Sequence, residues 1–146
     1  MVCNPEKINT LEEANKFLGK RLTVVISYKD IDNSPERTFV GVITGVGFSQ
    51  ERMSLGNIVL TGYSPTILLD GAPHIQSFGG ASPVNMGIIA NEVIKQGIDS
   101  SRFDVRVETN DYSQIIYSSQ YDETHYNYLA RMAEAYGEQF YYDGEV

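Results

Sequence analysis

Cysteine and long hydrophobic runs are nearly missing from this chain of 146 residues, and each shortage excludes a class of protein. Cys3 is the single cysteine, so an internal disulfide and a cysteine-based zinc site are both excluded. The longest apolar runs, at 67–69 and 87–90, are far shorter than the roughly 18 to 20 residues that a membrane span needs. No basic segment followed by an apolar one opens the sequence, so we expect no signal peptide. The remaining composition is typical of a soluble, folded protein.

Basic residues are scarce in the last quarter of the chain. Residues 107–146 contain Arg131 as the one basic side chain against eight carboxylates, which gives this segment most of the total net charge of −8. Eight of the ten tyrosines lie in the same segment. Since acidic surfaces repel phosphate backbones, we expect no nucleic-acid partner. The segment is either a solvated acidic surface or a docking face for another protein, because tyrosine is enriched at protein interfaces.

No motif for catalysis, a cofactor or a metal is complete in the sequence. Residues 62–66 lack the second glycine of a nucleophile elbow, and residues 45–47 lack the third glycine of a dinucleotide fingerprint. The acidic loop at 30–34 resembles the start of a calcium loop, but Pro35 replaces the required glycine. His125 is either a pH-sensitive contact or a surface residue. We therefore predict no catalytic, cofactor-binding or metal-binding residues.

The first half of the chain predicts one short helix and several strands. A capping box at Thr10 begins the helix, and Gly19 is expected to end it in the left-handed conformation. Gly41 lies within a predicted strand and indicates a bulge or a tight bend. β-Branched and aromatic residues predict strands at 22–28, 37–44, 57–63 and 66–69. Short strands separated by frequent turns are typical of a small barrel or sandwich.

The second half begins with a predicted amphipathic helix. Ser82 and Pro83 have the residue types of an N-cap and a first helical position, and Gly97 is expected to end the helix. The helical spacing predicts one apolar stripe, made of Met86, Ile89, Ala90, Val93 and Ile94.

The rest of the chain predicts strands around a further helix. Alternating residues predict strands at 103–107 and 115–119, the latter with Ile115, Tyr117 and Ser119 on one buried face. Asp122 is the predicted N-cap of a helix that ends at Gly137, and a last strand is expected at 140–142. The apolar face of this helix is predicted to contain Leu129, Met132, Ala133 and Tyr136.

These elements predict an α+β fold in two parts. Residues 1–71 are expected to form a partial small β-barrel with a short N-terminal helix. Residues 72–146 are expected to form an α+β domain in the order helix, strand, strand, helix, strand. A hairpin turn at Asp143-Gly144 lacks a returning strand, so we expect this chain to be a piece of a longer protein.

One stretch of the last forty residues has a specific order of residue types. Over 117–142 the residue types follow one another in this order: a Gln-Tyr pair, an acidic residue, an aromatic-Leu-x-Arg helix with Ala-Glu, a glycine and an aromatic strand. This order resembles the VgrG family, the spike protein of type VI secretion systems, which is also called the Rhs element Vgr protein. The family is similar to the baseplate hub and late control protein D of contractile phages. The motif positions are Gln120, Tyr121, Glu123, Tyr128, Leu129, Arg131, Ala133, Glu134, Gly137, Phe140 and Tyr142.

The resemblance implies a baseplate hub-like fold and a structural role without enzymatic activity. The family's hub is a trimer that caps a tube of hexameric Hcp-like rings, and some members carry effector proteins on C-terminal extensions. This chain would then be an internal hub segment of a type VI secretion or related contractile injection apparatus. The resemblance further implies assembly in the cytoplasm, followed by ejection through the apparatus.

Two alternative functions stay open at this point. Hubs of some phages carry lysozyme-like modules, so one alternative is a phage or prophage baseplate hub with a hydrolytic role. Hydrolysis of a glycan would require two carboxylates about 5 to 10 Å apart in a groove. The other alternative is a small barrel that binds a ligand in a deep apolar pocket.

Overall fold

A computed structural model describes residues 2–3, 11–29, 33, 35–49, 57–109 and 114–146 of the chain. The chain divides into two compact units, the first comprising Met1–Ser64 and the second Pro65–Gly144. The described residues form two antiparallel sheets and three α-helices, which agrees with the predicted α+β class.

The first unit is a four-stranded antiparallel sheet with a short helix beside it. The strands are β1 (Val2–Cys3), β2 (Arg21–Ile26), β3 (Arg37–Ser49) and β4 (Asn57–Tyr63), paired in the order β1-β4-β3-β2. Helix α1 (Leu11–Asn15) contacts β3. The buried side chains are Ala14, Val40, Val42, Ile43 and Ile58. Among the described residues this sheet is open, and a closed barrel is not seen.

Local signals in the first unit predicted a strand and a turn correctly. β4 has the predicted bounds, and Gly19 takes the left-handed conformation with φ of 71°. The predicted helix end at Gly19 is wrong, however, because α1 ends at Asn15 and a turn follows it. The capping residue Thr10 and most of the acidic loop at 30–34 lie outside the described residues.

The irregularity in β3 is not at Gly41, where the sequence indicated a bulge or bend. The register shifts between Ile43 and Gly45, whereas Gly41 pairs regularly with Leu22. A Cβ at Gly41 would lie 2.9 Å from the carbonyl oxygen of Tyr63 on β4. Glycine is required at this position because the neighbouring backbone passes close by.

The second unit opens with a 3-10 helix (Pro65–Leu69), where the sequence predicted a strand at 66–69. Proline fixes φ near the helical value, which favours a helical turn at this point. Pro65 and Leu69 are buried, and the 3-10 helix contacts both α-helices of this unit. The apolar residues therefore face a helical core, and no strand lies beside them among the described residues.

Two long strands and two helices complete the second unit. β5 (His74–Asn85) pairs antiparallel with β6 (Gln114–Glu123). Helix α2 (Met86–Gly97) contacts β5, helix α3 (His125–Tyr136) contacts β6, and the two helices contact each other. The element order after the 3-10 helix is strand, helix, strand, helix, which corrects the predicted order of this layer. The core contains Ile89, Val93, Ile115, Tyr128, Leu129 and Met132.

Helix α2 begins three residues later than the sequence predicted. Asn85 is its N-cap, and the Asn85 side chain accepts a hydrogen bond of 2.7 Å from the backbone N–H of Gly87. Ser82 and Pro83 lie instead in β5, within a segment where the pairing with β6 is interrupted. An interruption tolerates proline because no ladder hydrogen bond is needed there. The predicted end at Gly97 is confirmed.

Helix α3 also begins later than predicted, at Thr124 rather than Asp122. The Thr124 hydroxyl accepts a hydrogen bond of 3.2 Å from the backbone N–H of Asn127, while Asp122 belongs to β6 and has φ of 50°. The predicted end at Gly137 is confirmed, with φ of 71°.

The predicted strands at 103–107 and 140–142 are not strands. Both segments lack regular secondary structure, although Phe103 is buried as expected. Alternation at 103–107 and aromatic residues at 140–142 are typical of strands, but strand formation also requires a neighbouring strand to pair with.

The buried face of β6 differs from the prediction. Ile115 is buried, but Ser118 and Gln120 are the next buried residues, and Tyr117 is 62% exposed. The pairing with β5 shifts between Gly79 and Val84, and an irregularity of this kind changes which side chains face the core.

Candidate functional site

The motif positions of 117–142 hold α3 against β6. Tyr128 of α3 is fully buried, and its hydroxyl oxygen lies 2.8 Å from the Ser118 Oγ of β6. The Ser118 Oγ also lies 3.2 Å from the sulfur of Met132, so Ser118 bonds to two side chains of α3. The ring of Phe78 on β5 stacks with Tyr128 at a centroid distance of 6.2 Å. Burial raises the pKa of Tyr128, which keeps the phenol neutral.

A chain of side-chain amides connects all four long elements of this unit. Gln120 is fully buried, and its Nε2 donates to the carbonyl oxygen of Glu123 at 2.8 Å. Its Oε1 accepts from Gln76 of β5 at 2.6 Å, and Gln76 in turn exchanges two hydrogen bonds with Gln96 of α2. The Nδ1 atom of His125, the first residue of α3, lies 3.1 Å from the Gln120 amide nitrogen. This polar network spans the core without an unpaired buried amide.

The two histidines of the chain stack on each other. The rings of His74 and His125 are 4.0 Å apart and nearly parallel. His125 is buried, and burial, followed by the charge of His74, lowers the pKa of His125 below its usual value. His125 is therefore a buried contact, which excludes the surface reading among the two that the sequence left open. Among the described residues, no group of three or more histidine, cysteine, aspartate or glutamate side chains is arranged to hold a metal ion.

An ion pair holds the end of β6 to the middle of α3. Arg131 donates to both carboxylate oxygens of Glu123 and, at 3.0 Å, to the carbonyl oxygen of Ser119. Its guanidinium also lies 5.4 Å from the centre of the Tyr128 ring. The hydrogen bond to the Glu123 carboxylate raises the pKa of Arg131, which keeps the guanidinium charged.

The remaining motif positions divide between the inner face of α3 and the surface. Leu129 and Ala133 are buried on α3, as predicted, and Gly137 caps its end. Tyr121 is 74% exposed, and Glu134 is also exposed. Tyr136, which was expected on the buried face, is 43% exposed.

Phe140 and Tyr142 lie in the segment that follows α3. The ring of Phe140 packs against Tyr126 at a centroid distance of 5.3 Å. The hydroxyl of Tyr142 donates to the carbonyl oxygen of Gly144. Both aromatic residues therefore order this segment through local contacts rather than through a strand ladder.

Sequence analysis missed the partners of the motif. The hydrogen bonds of the motif are completed by Ser118, Gln76 and Gln96, and no sequence pattern singled out these three residues. The glycine pair at 79–80, where φ is positive at both positions, was the available signal for the shift that turns Ser118 inward.

One face of the β5–β6 sheet presents large side chains to solvent. Ile75 pairs directly with Tyr121, and these residues are 73% and 74% exposed. Tyr117 points to the same side, because it alternates with the buried residues 118 and 120. We call these three residues, Ile75, Tyr117 and Tyr121, the outer face.

The second unit also contains a groove of about 530 Å³. Its apolar lining comes from the 3-10 helix and from both α-helices, with Leu69, Met86, Ile94, Leu129 and Ala133 among the residues. Its walls are the segments 104–109 and 137–143, which contribute most of its charged side chains. The groove is thus apolar inside and charged along its margins.

No helix in the described part of the chain is long and apolar enough to cross a membrane. A scan against models of known protein families and a search of curated proteins both find no match to this sequence.

Proposed function

We propose that this chain is a structural, non-enzymatic part of the hub of a type VI secretion or related contractile injection apparatus, where it docks on the tail-tube ring. One observation carries the proposal: the order and spacing of residue types over 117–142 resemble the VgrG family. The same resemblance supports a trimer in the full-length protein, an Hcp-like tube protein as partner, and effectors joined through further C-terminal regions. Assembly in the cytoplasm and later ejection are part of this proposal.

The contacts within the motif support an architectural role. Gln120, Tyr128 and Arg131 each bond to another part of the same unit. Among the described residues, no buried side-chain nitrogen or oxygen lacks a hydrogen-bond partner. Each of these polar side chains therefore has a structural task that needs no substrate. A motif of this kind suits a structural component that must stay rigid while the apparatus exerts force on it.

The outer face is the surface that we assign to the tube ring. Its large, exposed side chains belong to the β5–β6 sheet, which is stabilised by hydrogen bonds to the polar network and to α3. Tyrosine contributes strongly to protein interfaces, because it combines apolar area with a hydroxyl and loses little conformational entropy.

Deletion of the gene in its native bacterium tests the proposed function. We expect the Hcp-like tube protein to vanish from the culture medium while its level inside the cells is unchanged. Complementation with the intact gene should restore release. Undiminished release from the deletion strain would contradict the role in the apparatus.

Docking itself is tested with purified proteins. The double variant Tyr117→Ser/Tyr121→Ser should bind the tube ring at least about tenfold more weakly, since truncation of interface aromatics commonly has effects of this size. Tyr28→Ser is the matched control, because Tyr28 is 70% exposed and lies in the first unit. Equal binding by both variants would remove the outer face from the proposal. Release of soluble glycan fragments from peptidoglycan by the purified chain would favour the hydrolytic alternative.

A further inference from the structure

We propose that the groove of the second unit binds a basic, extended segment of a partner protein, which pairs with residues 104–109 as an added β-strand. This inference does not depend on the proposed function, because it rests on the groove's shape, backbone and charge alone.

The groove has the size and lining of a binding site for side chains. Its volume of about 530 Å³ lies within the range of roughly 300 to 1,000 Å³ that is usual for ligand sites. Leu69, Ile94 and Leu129 form part of its apolar interior. Alternate side chains of a bound strand would point into this interior, as they do in peptide recognition by strand addition.

The wall at 104–109 is a backbone segment that pairs with no strand among the described residues. Its sequence alternates between polar residues and valines, with Val105 and Val107 at alternate positions. Within the described part of the chain, the backbone of 104–109 makes no hydrogen bond to another backbone group. The segment is also held close to α2, since a Cβ at Gly87 would lie 2.9 Å from the Thr109 hydroxyl. A fixed segment with free N–H and C=O groups is a template for a further strand.

The charge along the groove selects a basic occupant. Four carboxylates line it, from Asp104, Glu108, Glu138 and Asp143. Arg106 is the one basic residue among the lining side chains; it is 73% exposed and lies 3.9 Å from Glu108. A second copy of the chain is a poor occupant, because each copy carries a net charge of −8 and the same acidic margin. Lysine and arginine side chains on the solvent-facing side of the bound strand, opposite those that enter the groove, would offset this charge.

Binding of a defined peptide to the full chain of 146 residues tests the inference. The probe is a dye-labelled peptide of about nine residues in which lysine alternates with valine, measured by fluorescence anisotropy. We expect saturable binding with a Kd of roughly 10 µM, and a loss of about tenfold or more between 50 and 500 mM NaCl because of screening. A peptide that alternates glutamate with valine should not bind.

The backbone part of the proposal is tested on the unaltered protein. A lysine–valine peptide with N-methyl groups on every second amide keeps its charge but loses the N–H groups on one edge. The two placements of the methyl groups block opposite edges, so we expect one of them to weaken binding at least about tenfold and the other to have little effect. Equal binding of both methylated peptides and the unmodified one would overturn strand pairing.

The location is tested by two charge-matched double variants. Asp104→Lys/Glu108→Lys should weaken binding of the lysine–valine peptide by at least about tenfold. Glu12→Lys/Glu92→Lys changes the net charge equally but lies outside the groove, and binding should stay within about twofold. Equal losses in both variants would reduce the effect to net charge and refute the site. Self-association of the chain that the groove variant alone abolishes would identify a second copy as the occupant and also refute the proposal.

Discussion

Removal of the Tyr128 hydroxyl tests whether the motif is a structural contact between α3 and β6. Tyr128 is fully buried, Ser118 is 7% exposed, and their oxygens are 2.8 Å apart. The variant Tyr128→Phe keeps the ring in its place against Phe78 and removes the hydroxyl that bonds to Ser118. Ser118 then keeps only the sulfur of Met132 as a partner, which is a weak acceptor.

The expected magnitude follows from what each variant leaves unpaired. A lost hydrogen bond costs about 1 kcal/mol net, and a buried group left without its partner adds roughly 1 kcal/mol more. We therefore expect Tyr128→Phe and Ser118→Ala each to lower the free energy of unfolding by about 2 kcal/mol. The double variant should lose only about 1 kcal/mol, because it leaves no buried group unpaired. The coupling energy of the pair is then about 3 kcal/mol.

Urea unfolding of the four proteins measures this cycle. With a denaturant dependence of about 1.5 kcal/mol per molar, each single variant should unfold at a urea concentration lower by about 1.3 M. Tyr141→Phe is the control, since Tyr141 is 72% exposed and should change stability by less than about 0.5 kcal/mol. Coupling below about 0.3 kcal/mol would refute the argument, because independent sites add to within that margin.

Three further outcomes concern the histidine pair, the irregular strand and the ion pair. Because burial and His74 lower the pKa of His125 from 6.5, the folded chain binds protons less readily than the unfolded one. The contribution of neutral His125 to stability is therefore complete above about pH 6.5 and declines as the pH falls toward the pKa of His125 in the folded chain. The urea midpoint should be lower at pH 5.5 than at pH 7.5, and His74→Gln should make this difference smaller. Gly79→Ala should cost about 3 kcal/mol in urea unfolding, because φ is 85° and the new Cβ would lie 2.2 Å from a carbonyl oxygen of β6. Gly80→Ala, with φ of 108° and no atom within 4 Å, should cost clearly less, and equal costs would contradict the clash. Arg131→Met should lower stability by about 1 kcal/mol, with a smaller loss in 1 M NaCl, as salt titration of the urea midpoint would show.

Helix ends were predictable because they depend on local backbone chemistry. Gly97 and Gly137 lie at the predicted ends of α2 and α3, and Gly137 adopts a positive φ, which glycine accepts without strain. Helix α1 instead ends at Asn15, and the backbone N–H of Gly19 bonds to the carbonyl oxygen of Ile43 on β3. Helix starts were less predictable, since several nearby residues can serve as an N-cap. Asn85 is the N-cap in place of Ser82 because β5, a strand that the sequence analysis did not predict, continues to Asn85. Thr124 is the N-cap in place of Asp122 because β6 continues to Glu123, beyond its predicted end.

The candidate site shows the same division between local and distant effects. By itself, the sequence determined the α+β class, the apolar stripes of α2 and α3, and the order of motif residues from Gln120 to Tyr142. Only the tertiary structure decided that Ser118 faces the core in place of Tyr117, because the register shift opposite Gly79 changes the side on which each later residue of β6 lies. Whether an alternating segment forms a strand likewise depends on the tertiary structure. The backbone hydrogen bonds of a strand are made to a neighbour, so 104–109 has the residues of a strand without the ladder that would make it one.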